Sequence, residues 1–301
     1  MTPTLFPRDE VATALREGRP VVALESTLLS HGLPPGRNLD VARRLEQTVR
    51  DGGAVPATIA VLDGRPVIGL SGAELERVCA ADAGLDKLSL RDLGPAAGLG
   101  RSGATTVAST SALAAAAGIG VFATGGLGGV HLGASTSWDV SADLGVLARI
   151  RTVVVCSGVK SVLDIAATLE VLETNSVPVL GYRTGDFPAF YLRSSGHPVA
   201  HRVDDAKQAA AVIAAHRMYA DSGILLTNPI PEASEMDKEL HDRLLAEGLE
   251  LLRDNDIHGA DVTPALLEHF HSASGGVSLD ANEALVLSNA KLATEVAVAL
   301  S

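Results

Sequence analysis

The chain has few aromatic residues, only two cysteines and no long apolar run, and each shortage excludes a class of protein. Aromatic residues make up 3% of the 301 residues, which leaves no large stacking surface for single-stranded nucleic acid. Cys79 and Cys156 form no disulfide framework, as is typical of a reducing cytoplasm. The apolar stretches are too interrupted to span a bilayer, and the first residues do not resemble a signal peptide. We therefore expect a cytoplasmic protein with no membrane partner.

The charge and the apolar content narrow the class further. A formal net charge of −12 at pH 7 repels polyanions, so we expect no nucleic-acid partner, although a local basic pocket could still hold a small anion. Hydrophobic residues make up 47% of the chain, which is ample for a large core. Because no tandem repeat or low-complexity linker interrupts the chain, we expect a single domain over residues 1–301.

Short apolar runs alternate with helical patterns along the chain. The runs Pro20–Leu24, Val121–Ala123 and Arg151–Cys156 read as buried strands, and helices between such strands favour parallel neighbours. Asp63-Gly64 between two apolar runs indicates a hairpin, so the sheet is expected to be mixed and largely parallel. Ala233 to Arg253 has the pattern of one long helix.

Two further stretches are predicted from their patterns. Thr184 to Pro198 is irregular and holds three aromatic residues, Phe187, Phe190 and Tyr191, as is typical of a lid or an oligomer contact. A final helix is expected over Ser278 to Leu300. It places Asn282 and Asn289, two turns apart, on one face.

A glycine-rich turn, FATGGLGGVHLGA at residues 122–134, follows one of the predicted strands. Glycines let the backbone turn sharply and approach a ligand, and free N–H groups in such a turn bind phosphate. A connecting loop without a ligand explains the same glycines about as well. The turn lacks the GxGxxG spacing of a dinucleotide-binding enzyme, which argues against that class.

Polar residues follow four of the predicted strands. Glu25, Thr124 and Asn228 come directly after strands, and Lys160 comes four residues after another. Ligands of open α/β sheets bind outside the carboxyl ends of strands, so we expect these side chains to meet. A lysine desolvated at such a place attacks carbonyl carbon, and Glu25 could supply a proton.

Several nearby groups suit a phosphate or a cation. Asp139 and Asp143 could hold a hard divalent cation, although capping of a helix start explains Asp143 equally well. His131 is expected to orient a polar group, with His31 a weaker candidate. The alternation Lys87-Leu88-Ser89-Leu90-Arg91 places Lys87, Ser89 and Arg91 on one side, where they could serve phosphate charge.

Ordered motifs from about residue 19 to 300 resemble the pseudouridine-5′-phosphate glycosidase family, also called indigoidine synthase A-like. The motifs are ALESTLLSHGLP (23–34), GAVPATIAVLDGRPVIGLS (53–71), KLSLRDL (87–93), GATTVAST (103–110), FATGGLGGVHLGA (122–134), DVSADL (139–144) and CSGVKSVLD (156–164). The resemblance implies a homotrimeric enzyme with a three-layer α/β/α fold and a mixed, largely parallel central sheet. It also implies one Mn²⁺ ion per subunit and conversion of pseudouridine 5′-phosphate plus water to uracil and ribose 5-phosphate.

The resemblance also implies roles for particular residues. Carried over by motif, Lys160 is the nucleophile, Glu25 the proton donor and Asp139 the metal ligand. The implied substrate contacts are Lys87, Val107, His131, Ser141, Ala142, Asp143 and Asn282. The chain departs from the family pattern at Leu90 and Leu132, where arginine is expected, and each change is expected to reduce the positive charge of the phosphate pocket.

The residue chemistry fits cleavage of a C–C glycosidic bond. Such a bond has no leaving heteroatom to protonate, so the carboxylate pair of an ordinary glycosidase does not suffice. An iminium at C1′ formed with Lys160 supplies an electron sink. The alternatives are another Schiff-base lyase or aldolase acting on a sugar phosphate, and an accessory protein of pigment (indigoidine) biosynthesis. The intact set of Glu25, Asp139 and Lys160 argues against the accessory role.

Overall fold

A computed structural model describes residues 4–160, 162–257, 259 and 262–301. The strands are β1 Phe6–Pro7, β2 Val21–Leu24, β3 Val55–Leu62, β4 Arg65–Ile68, β5 Asp86–Leu88, β6 Gly103–Thr105, β7 Val121–Ala123, β8 Val130–His131, β9 Val153–Cys156, β10 Leu163–Asp164, β11 Val179–Tyr182, β12 His201–Val203 and β13 Ile224–Thr227. The helices are α1 Asp9–Arg16, α2 Thr27–His31, α3 Arg37–Asp51, α4 Gly72–Cys79, α5 Leu93–Gly98, α6 Val107–Ala116, α7 Ala134–Ser137, α8 Ala142–Leu147, α9 Ile165–Thr174, α10 Ala206–His216, α11 Lys238–Asp254, α12 Val262–Ala273 and α13 Val277–Leu300. Two 3₁₀ turns span Leu90–Asp92 and Glu232–Ser234.

The central sheet has the strand order β1-β4-β3-β2-β7-β9-β13-β11-β12, with β6 also paired to β3, and β5 to β6. Pairing is parallel from β3 through to β12. Strands β4 and β6 each run antiparallel to β3. The mixed, largely parallel sheet expected from the sequence is therefore confirmed. Because Leu24 pairs with Ala123, and Ala123 with Val155, the carboxyl ends of β2, β7 and β9 share one edge.

The predicted hairpin joins β3 to β4. Asp63 and Gly64 have positive φ angles of 52° and 75°, as a two-residue type I′ turn requires. Asp63 accepts two hydrogen bonds from the Arg77 guanidinium, at 2.7 and 2.8 Å, which fix the turn against α4. This turn introduces β4, one of the two strands that run antiparallel to β3.

Helices cover both faces of the sheet, because its central strands are apolar on both sides. Val22 and Leu24 of β2 belong to a core that includes residues of α3, α10 and α13. Val21 and Ala23 of the same strand belong to a second core that includes residues of α1, α6, α8 and α9. The alternation confirms the three-layer α/β/α fold. None of the described helices is long and apolar enough to cross a membrane.

Two predicted elements differ from the structure, and local capping explains both. The helix expected over Ala233 to Arg253 is a 3₁₀ turn followed by α11, because Asp237 caps α11 by accepting the N–H of Leu240. The alternating stretch after Lys87 leaves the sheet at Leu88. There Ser89 and Asp92 form a capping box that turns the chain into a 3₁₀ helix.

Candidate active site

Glu25, Thr124 and Lys160 meet at the shared carboxyl edge of β2, β7 and β9. The hydroxyl of Thr124 donates a hydrogen bond to the Glu25 carboxylate. Glu25 and Lys160 line the same two adjoining cavities. Burial raises the pKa of the Glu25 carboxyl, and the positive charge of Lys160 and the Thr124 hydrogen bond only partly oppose the shift. A carboxyl group with a raised pKa can carry a proton closer to neutral pH, as a general acid must.

The two cavities differ in character and share a wall. The polar cavity has a volume of about 330 Å³, and the groups expected to serve phosphate, Lys87, Ser89 and Arg91, line it. The second cavity is a narrow cleft with apolar walls, to which Leu28 and Phe190 contribute. Glu25, Lys87 and Lys160 border both, so a ligand bridging the two spaces passes the lysine and the carboxyl group.

The polar cavity contains the expected phosphate-binding groups. Lys87 extends from β5, and Val107 begins α6, whose first turn faces the cavity. Backbone N–H groups at a helix start favour an anion, but here the N–H of Ala108 already donates to Asp143. Ser141 and Ala142 also line the cavity. Leu90 and Leu132 are partly exposed and lie outside the described lining of both cavities. Neither leucine is therefore part of the described walls, and its effect on the positive charge of the cavity stays a prediction.

Asp143 is buried and hydrogen-bonded to backbone. Its Oδ1 accepts the N–H of Ala108 and its Oδ2 that of Gly128, both at 2.9 Å. A Cβ at residue 128 would lie 2.4 Å from Ser141 Oγ and 2.7 Å from Asp143 Oδ2, so only glycine fits there. Asp143 thus fastens the glycine-rich turn to α6. It does not cap its own helix, because Ser141 is the capping residue of α8.

The glycine-rich turn offers fewer free amides than its composition suggests. The N–H of Leu127 donates to the carbonyl of Gly158 at 2.9 Å, and that of Gly128 donates to Asp143. These two amides are not available to a phosphate. At Gly126 the absence of a side chain makes room for Phe190, whose ring would lie 2.6 Å from an added Cβ. Close packing accounts for this part of the glycine pattern.

Asp139 and His131 lie together at the polar cavity. His131 Nδ1 is 3.6 Å from Asp139 Oδ2, and burial lowers the pKa of His131 despite the neighbouring carboxylate. Within the described ranges no three His, Cys, Asp or Glu side chains are grouped to hold a metal. A hard divalent cation that keeps several waters needs only one or two carboxylates. Asp139 therefore fits a hydrated ion, and the site does not fit an ion enclosed by protein ligands.

Asn282 lies in the apolar cleft beside Phe190. Its side-chain oxygen is buried and has no hydrogen-bond partner among the described residues, which leaves it for a ligand. His31 lines the same cleft, and its pKa is lowered by burial and by the charge of Lys87. The cleft therefore combines apolar walls with polar groups from α13 and α2, a composition that suits a flat polar ring.

Asn228 does not join the site, contrary to the expectation. Its side-chain amide donates to Ser288 Oγ and Asn289 Oδ1, both at 3.0 Å. Asn289 in turn donates to the carbonyl of Thr124 at 2.8 Å and to Ser157 Oγ at 3.1 Å. These bonds tie α13 to the ends of three strands. Asn289 therefore supports the residue that holds Glu25, a role that its sequence pattern did not reveal.

The aromatic stretch after Thr184 is part of the core. Phe187, Phe190 and Tyr191 are all buried, with at most 3% of each residue exposed. Phe190 has a φ angle of 60° and donates its N–H to the carbonyl of Ser157, which turns its ring into the cleft. Because these side chains are buried within the chain, they do not themselves form an oligomer contact. Phe190 forms a wall of the apolar cleft, which the sequence did not indicate.

A lysine and a protonatable carboxyl group at the carboxyl edge of a parallel sheet, beside a cavity lined by Lys87 and Arg91, are the arrangement of an α/β enzyme. The chain belongs to the indigoidine synthase A-like family. The family model described as Indigoidine synthase A like protein matches residues 10–299, which confirms the resemblance seen in the motifs.

Curated relatives and solved structures agree with this placement. The chain is 57% identical over 292 residues to the pseudouridine-5′-phosphate glycosidase of Salinispora tropica, covering 96% of this chain and 90% of that protein. It is 54% identical to the Streptomyces griseus protein of the same name, with the same coverage.

Two solved structures have the same fold. An indigoidine synthase A-like protein of Thermotoga maritima matches with a TM-score of 0.89 and 37% identity, over 99% of this chain and 97% of that one. The prealnumycin C-glycosynthase AlnA, solved in complex with ribulose 5-phosphate, matches with a TM-score of 0.90 and 41% identity, over 99% of this chain and 98% of that one.

Proposed function

We propose that the protein is a C-glycosidase that converts pseudouridine 5′-phosphate and water reversibly to uracil and ribose 5-phosphate. The observation that carries the proposal is the position of Glu25 and Lys160 on the wall between a polar cavity and a narrow apolar cleft. A nucleotide bridging the two spaces presents its C1′ atom to both groups. The names of the curated relatives support the same reaction.

The chemistry follows from the positions of the two groups. Glu25 protonates the ribose ring oxygen as the ring opens, and the Lys160 amine bonds to C1′. The nitrogen bonded to C1′ then gives up a proton to the Glu25 carboxylate. Its lone pair forms a C1′=N bond while the electrons of the C1′–C5 bond pass to uracil, whose C5 takes that proton from Glu25. Water hydrolyses the imine, which releases ribose 5-phosphate and restores the amine.

The polar cavity would hold the phosphate and the sugar. Lys87 contributes a positive charge, and Val107 lines the cavity at the start of α6. Asp139 would hold one Mn²⁺ ion per subunit, with water and substrate oxygens as the other ligands. When bound, the ion supplies positive charge that offsets the phosphate. His131 would then orient a substrate hydroxyl or the Asp139 carboxylate.

The apolar cleft would hold uracil. Asn282 supplies a buried amide whose oxygen lacks a partner in the described part of the chain, and uracil has N–H groups that such an oxygen accepts. Phe190 and Leu28 cover the ring faces. We retain the homotrimer and the cytoplasmic location as expectations drawn from the family resemblance and the composition.

The test is incubation of the purified protein with pseudouridine 5′-phosphate and Mn²⁺, followed by chromatography for uracil. Borohydride added during turnover should reduce the imine and fix a ribose-phosphate adduct, which peptide mapping should locate on Lys160. Lys160→Ala should lose both adduct and uracil release. Lys207→Ala, a lysine exchange in α10 outside both described cavities, should keep them. An adduct on Lys87, or no uracil at all, would contradict the proposal.

The main alternative uses the same lysine. Another Schiff-base lyase or aldolase acting on a sugar phosphate would also form a borohydride-trapped adduct, but it would release no uracil. Such an enzyme would need no base-binding cleft, and the buried amide oxygen of Asn282 favours the glycosidase. Product analysis separates the two. An accessory role in pigment biosynthesis predicts neither product.

A further inference from the structure

A second large cavity lies at the opposite edge of the sheet from the candidate active site. It has a volume of about 440 Å³ and opens at the amino ends of β2 and β7, where Val21 and Val121 form part of its wall. Its size lies in the range of small-molecule sites. None of its described lining residues belongs to the two active-site cavities.

This cavity is basic, although the protein is acidic. Arg19, Arg151 and Arg217 line it, and no Asp or Glu side chain is among its described lining residues. The chain as a whole has a net charge of −12. Arg19 pairs with Glu17 at 2.8 Å, and Arg151 pairs with Asp221, but both of these carboxylates are exposed and lie outside the described lining.

Arg217 has no such partner among the residues that the structure describes. It is partly buried just after α10, and within the described ranges its side chain makes no hydrogen bond and no ion pair. Its guanidinium lies over Gly120, where an added Cβ would be 2.8 Å from Nη2. Burial and the like charge of Arg151 both lower the pKa of Arg217, yet a guanidinium keeps its proton in proteins. A partly buried cation beside another cation is unfavourable until an anion neutralises it.

The ends of helices do not account for this arrangement. The last carbonyls of a helix carry partial negative charge and attract arginine. Arg217 follows the last turn of α10, and its backbone N–H donates to the carbonyl of Ile213, but in the described part of the chain its guanidinium donates to none of the last carbonyls. Ser301 also lines the cavity, and its carboxylate forms no ion pair with the three arginines there.

We propose that this cavity binds a small organic phosphomonoester, whose phosphate is held by Arg217 together with Arg151 and Arg19. A guanidinium matches two phosphate oxygens at once, and three of them suit a doubly charged anion. The apolar wall residues, such as Val21 and Leu300, suit the organic part of the molecule. The site lies apart from the catalytic groups, so its occupancy does not depend on the proposed reaction.

Isothermal titration of the full chain with ribose 5-phosphate tests the proposal. We expect two bound molecules per wild-type chain, one at the active site and one in the arginine cavity. Arg217→Gln should keep only one class of site, because loss of a charged hydrogen bond weakens binding by roughly tenfold or more. Lys87→Ala should weaken the other class, which separates failure of this proposal from failure of the proposed function.

An arginine outside the cavity and a second arginine inside it provide the control variants. Arg253→Gln changes the charge equally on the exposed face of α11 and should bind two molecules. Should Arg217→Gln fail to fold, Arg151→Gln should show the same loss. A wild-type chain that binds one molecule, or an unchanged Arg217→Gln, overturns the proposal. So does equally tight binding of inorganic phosphate, since the organic part would then contribute nothing. A change of oligomeric state without loss of a phosphate site would assign the cavity to a subunit contact.

Discussion

Replacing Glu25 with glutamine separates proton donation from every other contact of this side chain. Glutamine keeps the size of the residue and an oxygen that can accept the Thr124 hydroxyl. It removes the titrating proton and the negative charge that the ionised carboxylate presents to Lys160. General acid catalysis contributes about 10²–10⁴-fold, so kcat for uracil release should fall by that factor, or roughly 3–5 kcal/mol in activation free energy. KM should change little, because the walls of both cavities are preserved.

The pH dependence gives an independent readout. Burial raises the pKa of Glu25, so wild-type activity should fall as pH rises through that raised value, and Glu25→Gln should lack this fall. The folded state also binds more protons than the unfolded state between the ordinary and the raised pKa. The free energy of unfolding contributed by Glu25 is therefore lost as pH rises through this window. The variant should be at least as stable as the wild type at neutral pH.

Glu46 provides a matched control. Burial also raises the pKa of Glu46, and its carboxylate accepts a hydrogen bond from Thr58 Oγ1 at 2.7 Å. It lies outside the described lining of both active-site cavities. Glu46→Gln should keep the wild-type kcat and pH profile in the same chromatographic assay. If Glu25→Gln turns over at the wild-type rate, or if Glu46→Gln loses as much activity, the assignment of the proton donor is wrong.

Three further changes test other parts of the site. Lys87→Ala should lower kcat/KM for the phosphorylated substrate by roughly 10–150-fold, the equivalent of one charged hydrogen bond, and should affect unphosphorylated pseudouridine much less. Chelation should abolish wild-type activity and Mn²⁺ should restore it. Asp139→Asn should need far more Mn²⁺ to reach the same activity. Full turnover of metal-free protein would refute the metal assignment. Asn289→Ala removes the partner of the buried Thr124 carbonyl and one of the two partners of the Asn228 amide, so it should lower stability by about 3 kcal/mol and Tm by roughly 6 °C in calorimetry. An unchanged Tm would show that water replaces these bonds.

The sheet and its hairpin were predictable because their signals are local. Strand β2 is buried on both faces and therefore reads as a continuous apolar run. Asp63-Gly64 marks a turn that only a few residue pairs adopt easily. The helix predicted over Ala233 to Arg253, which begins only at Lys238, shows the limit of local signals. Helical periodicity continues across Asp237, and only the hydrogen bond from its side chain to Leu240 shows that α11 begins there.

The site was only partly predictable, because a polar residue that directly follows a strand does not always join the site. Glu25 and Asn228 have the same sequence signal, a polar residue directly after an apolar strand. Their positions differ in function because Asn289 of α13 accepts a hydrogen bond from the side-chain amide of Asn228. Phe190 reaches the cleft through a backbone angle that its sequence does not indicate. Both outcomes depend on contacts between distant segments.

The bond from Asn289 to the carbonyl of Thr124 has a consequence for the timing of synthesis. It joins residues 165 positions apart, and the partner of Thr124, Glu25, lies farther still toward the start of the chain. Contacts of such separation form late, after the local elements they connect. The first strands can pair on the ribosome, but the carboxyl edge of the sheet lacks its support until α13 has emerged. A nascent chain is therefore expected to stay inactive, with Lys160 and Glu25 not yet held in place, until α13 has been synthesised.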